Sequence, residues 1–197
     1  LSGTELKADQ VNLYDFSGYV LQAGLSTMVK KSNDSHNEWI QKAREANGKK
    51  VLTAPYSTYV YSKSARYPQW FISLYRSFTN QYGRGVGVIE TAKQCKSIFK
   101  SIISYEKKNH GNAASVYVFN ESGDLIYPYD ITADDTNDIS KYYKLTDSDQ
   151  DTLTIQSPVT DQKEYVSRLN SAYTGYTYLT IQPESVILAP AYKILTV

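Results

Sequence analysis
Glu90 closes the stretch RGVGVIE, and it is the first place in this sequence where chemistry concentrates. In an extended strand Val86, Val88 and Glu90 share one face, so a carboxylate ends a row of small apolar side chains. Trp39, in the segment EWIQKARE, offers a broad flat ring, and Tyr56, Tyr59, Tyr61 and Tyr75 put four more rings on the strand-like segments between it and Glu90. Rings gathered around one acid suit a small polar molecule, neutral or cationic, such as a sugar, an amine or a short peptide. Arg76 is either a further donor to such a guest or a strand-face charge paired with a neighbour. Plainer roles also stand open: Trp39 anchoring its helix, and Glu90 capping a helix that begins at Thr91.

Other reactive groups argue against catalysis. His36 and His110 are the two near-neutral bases, both fall at expected helix ends in polar surroundings, and neither stands at metal-ligand spacing from another His or Cys. No glycine-rich phosphate loop and no nucleophile elbow occurs. Asp147 to Asp151, DSDQD, begins like a calcium loop, but its sixth position is Thr152 rather than Gly and its twelfth is Pro158 rather than Glu. Cys95, the one cysteine, excludes an internal disulfide and falls on an apolar helical stripe, as a core residue does. The chain is therefore read as no enzyme, with no cofactor and no metal; a secreted hydrolase is the weaker alternative.

Charge narrows the partners further. Lys and Arg number 21 against 20 Asp and Glu, a net of +1 with no basic stripe, so nucleic acid is not an expected partner. Apolar runs are too short to span a bilayer, and the chain is expected to be soluble as it stands, including as a segment cut from between two membrane helices. Tyrosine is the outlier, at 19 copies against 5 Phe, which points to half-exposed sheets and to walls of polar pockets.

The elements that would position these residues form a repeat. VNLYDFSGYVL, from Val11 to Leu21, returns as VYVFNESGDLI, from Val116 to Ile126: Tyr14 meets Phe119, Asp15 meets Asn120, and Ser17-Gly18 meets Ser122-Gly123. Asn12 against Tyr117 and Phe16 against Glu121 are the mismatches. Each copy reads as a β-hairpin around a polar turn ending in Gly, too small to be stable without a larger sheet. After the first hairpin, Ser35 and Glu38 form a capping box for a helix that carries Trp39, Ile40 and Ala43 on one face and stops at Asn47-Gly48. Strands are expected over 51–62, over Trp70 to Phe78 and up to Glu90, then a helix from Thr91 ending at Asn109-His110-Gly111. The second half follows its hairpin with a loop-rich acidic stretch through Asp151, then strands TLTIQSPV, EYVSRLNSAY and YTYLTIQ, the last stopped at Pro183.

Three stretches in this order, EWIQKAREANGKKVLTAPY, FISLYRSF with GVGVIE, and TGYTYLTIQPESVI, resemble a double Cache sensor module, the extracytoplasmic region of bacterial sensor histidine kinases and chemoreceptors. The resemblance runs from about residue 10 to residue 190. It implies an α+β fold of two tandem PAS-like lobes, each a central antiparallel sheet with flanking helices. Residues 1–108 would be the membrane-distal, ligand-binding lobe ending in a connecting helix, and 109–197 the membrane-proximal lobe. It further implies a place on the extracellular face of a bacterial plasma membrane, attachment through flanking helices absent from this chain, an output such as a histidine kinase, and a full-length receptor open to pairing as a homodimer. The rival within the same fold is an interaction or dimerisation module with a collapsed pocket.

Carried over by position, the resemblance puts Trp39, Tyr56 and Glu90 in the pocket. Many amino-acid-binding members have an Arg two residues before the Trp, an aromatic after it and an Asp at the strand end; here Asn37, Ile40 and Glu90 stand there. Asn cannot replace the bidentate grip of a guanidinium on a carboxylate, so a free α-amino acid is expected to bind weakly or not at all.

Overall fold
The computed structural model describes residues 7–31, 38–59, 67–108, 114–145 and 150–195. Contacts divide the chain into two compact units, Leu1–Ile98 and Phe99–Val197. The first contains β1 (Gln10–Asp15), β2 (Tyr19–Gly24), β3 (Met28–Lys31), α1 (Glu38–Glu45), β4 (Val51–Leu52), β5 (Tyr56–Thr58), β6 (Gln69–Thr79), β7 (Gly85–Gln94) and α2 (Cys95–Ile98). The second contains α3 (Lys100–Lys108), β8 (Ser115–Phe119), β9 (Leu125–Tyr127), α4 (Ala133–Leu145), β10 (Thr152–Gln156), β11 (Lys163–Asn170), β12 (Thr177–Pro183) and α5 (Glu184–Leu195).

Both repeated segments are hairpins, and the same turn closes each. Gly18 N–H donates to Asp15 O at 3.0 Å while Ser17 N–H donates to the Asp15 carboxylate; Gly123 N–H donates to Asn120 O at 3.0 Å while Ser122 N–H donates to Asn120 Oδ1 at 2.9 Å. A short side-chain oxygen thus stands in for a backbone acceptor, and the glycine takes a φ of 97° or 82° that a Cβ would disfavour.

Each unit is built on one antiparallel sheet, β3-β2-β1-β7-β6-β4 with β5 also on β6, and β10-β11-β12-β8-β9. Setting β3 aside and taking β4 and β5 as one interrupted strand, both sheets have the order second-first-fifth-fourth-third. In the first unit α1 lies on the sheet face bearing Tyr75 and Val88, burying Ile40 and Ala43. Burial of one Ile side chain contributes about 2 kcal/mol. In the second unit Tyr142 on α4 joins Phe119, Val166, Leu179 and Ile181 in the core.

Two expected elements differ. The strand through Glu90 does not yield to a helix at Thr91; β7 runs on to Gln94, pairing Ala92 with both Gln10 and Ser73 and Gln94 with Phe71. Thr91 and the apolar spacing of Ala92, Cys95, Ile98 and Phe99 favour a helix locally, but ladder bonds to two neighbours outweigh that weak preference. The helix is shorter and broken, as α2 and α3. The acidic stretch after β9 is not all loop, since α4 occupies much of it. Its start is N-capped by Thr132: Asp135 N–H donates to Thr132 Oγ1 at 3.2 Å, and that hydroxyl donates to Asp135 Oδ2 at 2.7 Å. Thr132→Ala is therefore expected to destabilise the second unit by about 1 kcal/mol in urea unfolding followed by circular dichroism.

Candidate ligand-binding site
A row of side chains crosses the inner face of the first sheet. Register sets Gln22, Asn12, Glu90, Tyr75 and Val51 side by side on β2, β1, β7, β6 and β4. In the next row Ala92 lies between Gln10 and Ser73. Glu90 is therefore mid-strand and central in the sheet, 2% exposed, and it does not cap a helix. Its Oε2 accepts from Asn12 Nδ2 at 2.8 Å and from the Tyr14 hydroxyl at 2.7 Å, and its Oε1 accepts from Ser73 Oγ at 2.7 Å. The Ser73 hydroxyl lies 2.7 Å from the Tyr56 hydroxyl.

The network has a fixed direction. Ser26 N–H donates to Gln10 Oε1 at 2.8 Å, which leaves Gln10 Nε2 to donate to Asn12 Oδ1 at 2.9 Å and to Ser26 O at 3.0 Å. Asn12 then has only its amide nitrogen to turn toward Glu90. A main-chain group that can only donate sets the sense of the amide steps from Gln10 through Asn12, so Asn12 meets the carboxylate as a donor.

Above this row lies a cavity of about 440 Å³, lined by Tyr14, Trp39, Tyr56, Tyr75, Glu90 and the 53–58 segment. Its side wall comes from an irregularity in the sheet edge. Leu52 lies opposite Leu74 and Tyr56 opposite Phe71, so Thr53, Ala54 and Pro55 span two residues of β6. That is a bulge at a residue with no N–H to give the ladder. Thr53 holds the bulge in place, donating its N–H to Ser73 O at 2.9 Å and accepting Ser73 N–H at 3.0 Å. Trp39 stacks on Tyr75, with centroids 6.4 Å apart and planes at 18°, and Lys42 Nζ stands 4.4 Å from the Trp39 ring centre. Burial first, and the nearby Glu90 second, push the Tyr75 hydroxyl above the usual phenol range, so it remains a protonated donor.

Of the residues singled out from sequence, Trp39, Tyr56, Tyr75 and Glu90 meet at this cavity. Arg76 does not. Strand alternation turns it to the face opposite Tyr75, where its Nε donates to Gly48 O at 2.6 Å and ties down the end of the α1 loop. Tyr59, just past β5, is 58% exposed and is not among the lining residues. Tyr61, Asn37, Ser35, His36, His110 and most of DSDQD lie outside the described residues. Asn12, Tyr14, Ser73 and Gln10 were not anticipated. The signal for them is inverted alternation in β1, where Gln10 and Asn12 are buried while Val11 and Leu13 are only partly covered. Among the described residues no group of three His, Cys, Asp or Glu could hold a metal ion, and no helix is long and apolar enough to cross a membrane.

Two antiparallel sheets of one strand order, in tandem and flanked by helices, make the tandem PAS-like fold of double Cache domains. Solved structures of that fold resemble the whole chain. The ligand binding domain of the Pseudomonas aeruginosa PAO1 amino acid chemoreceptor PctB, in complex with L-Arg, superimposes with a TM-score of 0.66 at 13% identity, covering 96% of this chain and 72% of that one. The ligand binding domain of Mlp24 with asparagine gives 0.63 at 17% identity over 92% and 71%. The extracellular domain of the putative histidine kinase rpHK1S-Z16 gives 0.63 at 15% identity over 93% and 73%. No protein-family model matches the sequence, and no curated protein matches it.

Proposed function
We propose that this chain is the extracellular sensor domain of a bacterial membrane receptor, that its first unit binds a small polar molecule in the Trp39–Tyr56–Tyr75–Glu90 cavity, and that binding regulates an output such as a histidine kinase. The observation that carries this reading is the cavity itself: about 440 Å³ kept open by a bulged edge, with ring faces on its walls and a hydrogen-bonded carboxylate on its floor. A collapsed interaction module would have filled that space with side chains. Structural neighbours described as domains holding asparagine, GABA and L-Arg support a small polar ligand as the class. Among the described residues the cavity lining holds no Arg or Lys to neutralise a carboxylate, which favours an amine, a sugar or a similar guest over a free α-amino acid. To switch an output nearly completely, the ligand must prefer one arrangement of the domain by roughly 5 kcal/mol.

A thermal-shift screen against sugars, amines, organic acids and amino acids tests this. A ligand at one hundred times its dissociation constant is expected to add about 2.7 kcal/mol of stability, and Trp39→Ala is expected to abolish the shift. Strongest shifts from free amino acids would contradict the ligand class. A shift that survives Trp39→Ala would remove the site.

A further inference from the structure
The second unit contains a cavity of about 400 Å³ between α4 and its sheet, lined by Tyr117, Asp135, Asp138, Tyr142, Glu164 and neighbouring apolar and hydroxyl side chains. It occupies the same slot in the repeat as the first cavity, under the helix that connects the second strand to the third. Its chemistry is its own. Glu164 projects from β11, the fourth strand of its unit, whereas Glu90 projects from the fifth. Glu164 is 6% exposed, and its Oε2 accepts the Tyr142 hydroxyl at 2.7 Å. Tyr142 is also 2.9 Å from Ser157 Oγ. Among the described residues nothing donates to Glu164 Oε1. That oxygen is not a buried atom without a partner; it is reached from the cavity, where solvent or a donor brought by a guest can meet it.

The surroundings favour a positively charged guest. Among the described residues the lining contains three carboxylates and neither lysine nor arginine. Lys141 pairs with Asp138 at 2.6 Å, but that pair is half exposed on both sides and neutralises little. The rings of Tyr117 and Tyr142 pack at 5.4 Å and 48°, presenting aromatic surface next to the carboxylate. Burial holds both hydroxyls above the usual phenol range, so neither adds negative charge of its own. Among the described residues the three carboxylates are not grouped so as to hold a metal ion, and the apolar and aromatic lining suits a cation with an apolar body. Volume and composition fit a small-molecule pocket, and acid beside aromatic rings fits an ammonium group.

We propose that the second unit carries its own pocket for a small aliphatic amine, whose ammonium group binds Glu164 against the Tyr117 and Tyr142 rings while Asp135 and Asp138 attract it at the rim. This does not depend on what occupies the first unit. Titration calorimetry of the full chain with 1,4-diaminobutane tests it, with 1,4-butanediol as the uncharged counterpart. Saturable uptake of the diamine and none of the diol is expected, weakened at least about tenfold by Glu164→Gln, which retains an acceptor for Tyr142, and by a smaller factor by the surface change Asp135→Asn. Absence of saturable uptake, equal uptake of the diol, or full uptake by both variants overturns the proposal. The same titration on Glu90→Gln separates the pockets: uptake that falls there and not in Glu164→Gln belongs to the first unit and also overturns it.

Discussion
Glu90→Ala is expected to lower the stability of the first unit by about 3 kcal/mol, well beyond what its hydrocarbon alone would contribute. Donors from Asn12, Tyr14 and Ser73 converge on this carboxylate, with the Tyr75 hydroxyl beside them. Tyr14 and Ser73 have hydroxyls that can turn elsewhere, Ser73 toward Tyr56. Asn12 has no such freedom, because its oxygen is taken by Gln10 and Gln10 is fixed at both ends by the Ser26 main chain. Truncation therefore takes from the Asn12 amide, in a site 1% exposed, its acceptor at 2.8 Å and leaves it the longer 3.4 Å approach to the Tyr14 hydroxyl. Glu90→Gln is the informative contrast. Gln can keep its oxygen toward Asn12 and Tyr14 and its amide toward Ser73, whose hydroxyl reverses to accept, so its cost is expected to be only about 1 kcal/mol. Both tryptophans, Trp39 and Trp70, belong to the first unit, so urea unfolding followed by tryptophan fluorescence reads that unit selectively. Equal midpoints for the Ala and Gln variants would show that the network does not hold the sheet together.

Gly24→Ala is expected to cost the first unit a further large amount, also about 3 kcal/mol. Gly24 has a φ of 126°, and an added Cβ would lie 2.3 Å from Asp9 O and 2.9 Å from Gln10 Cα. Flexible side chains can yield to such an approach, but Asp9 is held: its N–H donates to Ala92 O at 2.9 Å and its carboxylate accepts Gln94 N–H at 2.7 Å. The displaced partner would instead be the turn that brings Ser26 over Gln10, so the substitution also loosens the amide chain leading to Glu90. Gly83→Ala isolates the effect. Gly83 has a φ of 75°, close to the left-handed well, and open space around it, so only the left-handed penalty of about 1 kcal/mol is expected there. Matching losses at the two positions, again by tryptophan fluorescence, would show that the close approach carries no weight.

Local signals were readable where the residues determine structure by themselves. The paired Asx-x-x-Gly turns identified both hairpins from sequence, because a side-chain oxygen and a Cβ-free residue are sufficient to fix a turn. Period-two patterning likewise revealed the β6–β7 pair, and Trp39, Tyr56 and Glu90 meet at one cavity. What escaped reading depends on distant partners. Thr91 to Gln94 looked like a helix start until Gln10 and Phe71 paired with it. ADDTNDISKYYKL looked like loop because its polar residues outnumber the three, Ile139, Tyr142 and Tyr143, that seat it on the sheet. Gln10 and Asn12 would normally be assigned to water, and only Ser26 and Glu90, 16 and 78 residues away respectively, make them interior. The mismatch of Asn12 with Tyr117 in the repeat was in fact the visible trace of this: the first unit carries a polar floor where the second carries a ring.

β3 has no counterpart in the second sheet, and its consequence concerns self-association. It is a bare margin: all four residues are exposed, Val29 at 69%, and among the described residues no strand pairs with its outer side. Unguarded, such a border templates the addition of another molecule's strand and, from there, fibrous growth. Lys30 and Lys31 end that border, so two molecules aligned edge to edge would bring ammonium groups together, and the repulsion opposes that pairing.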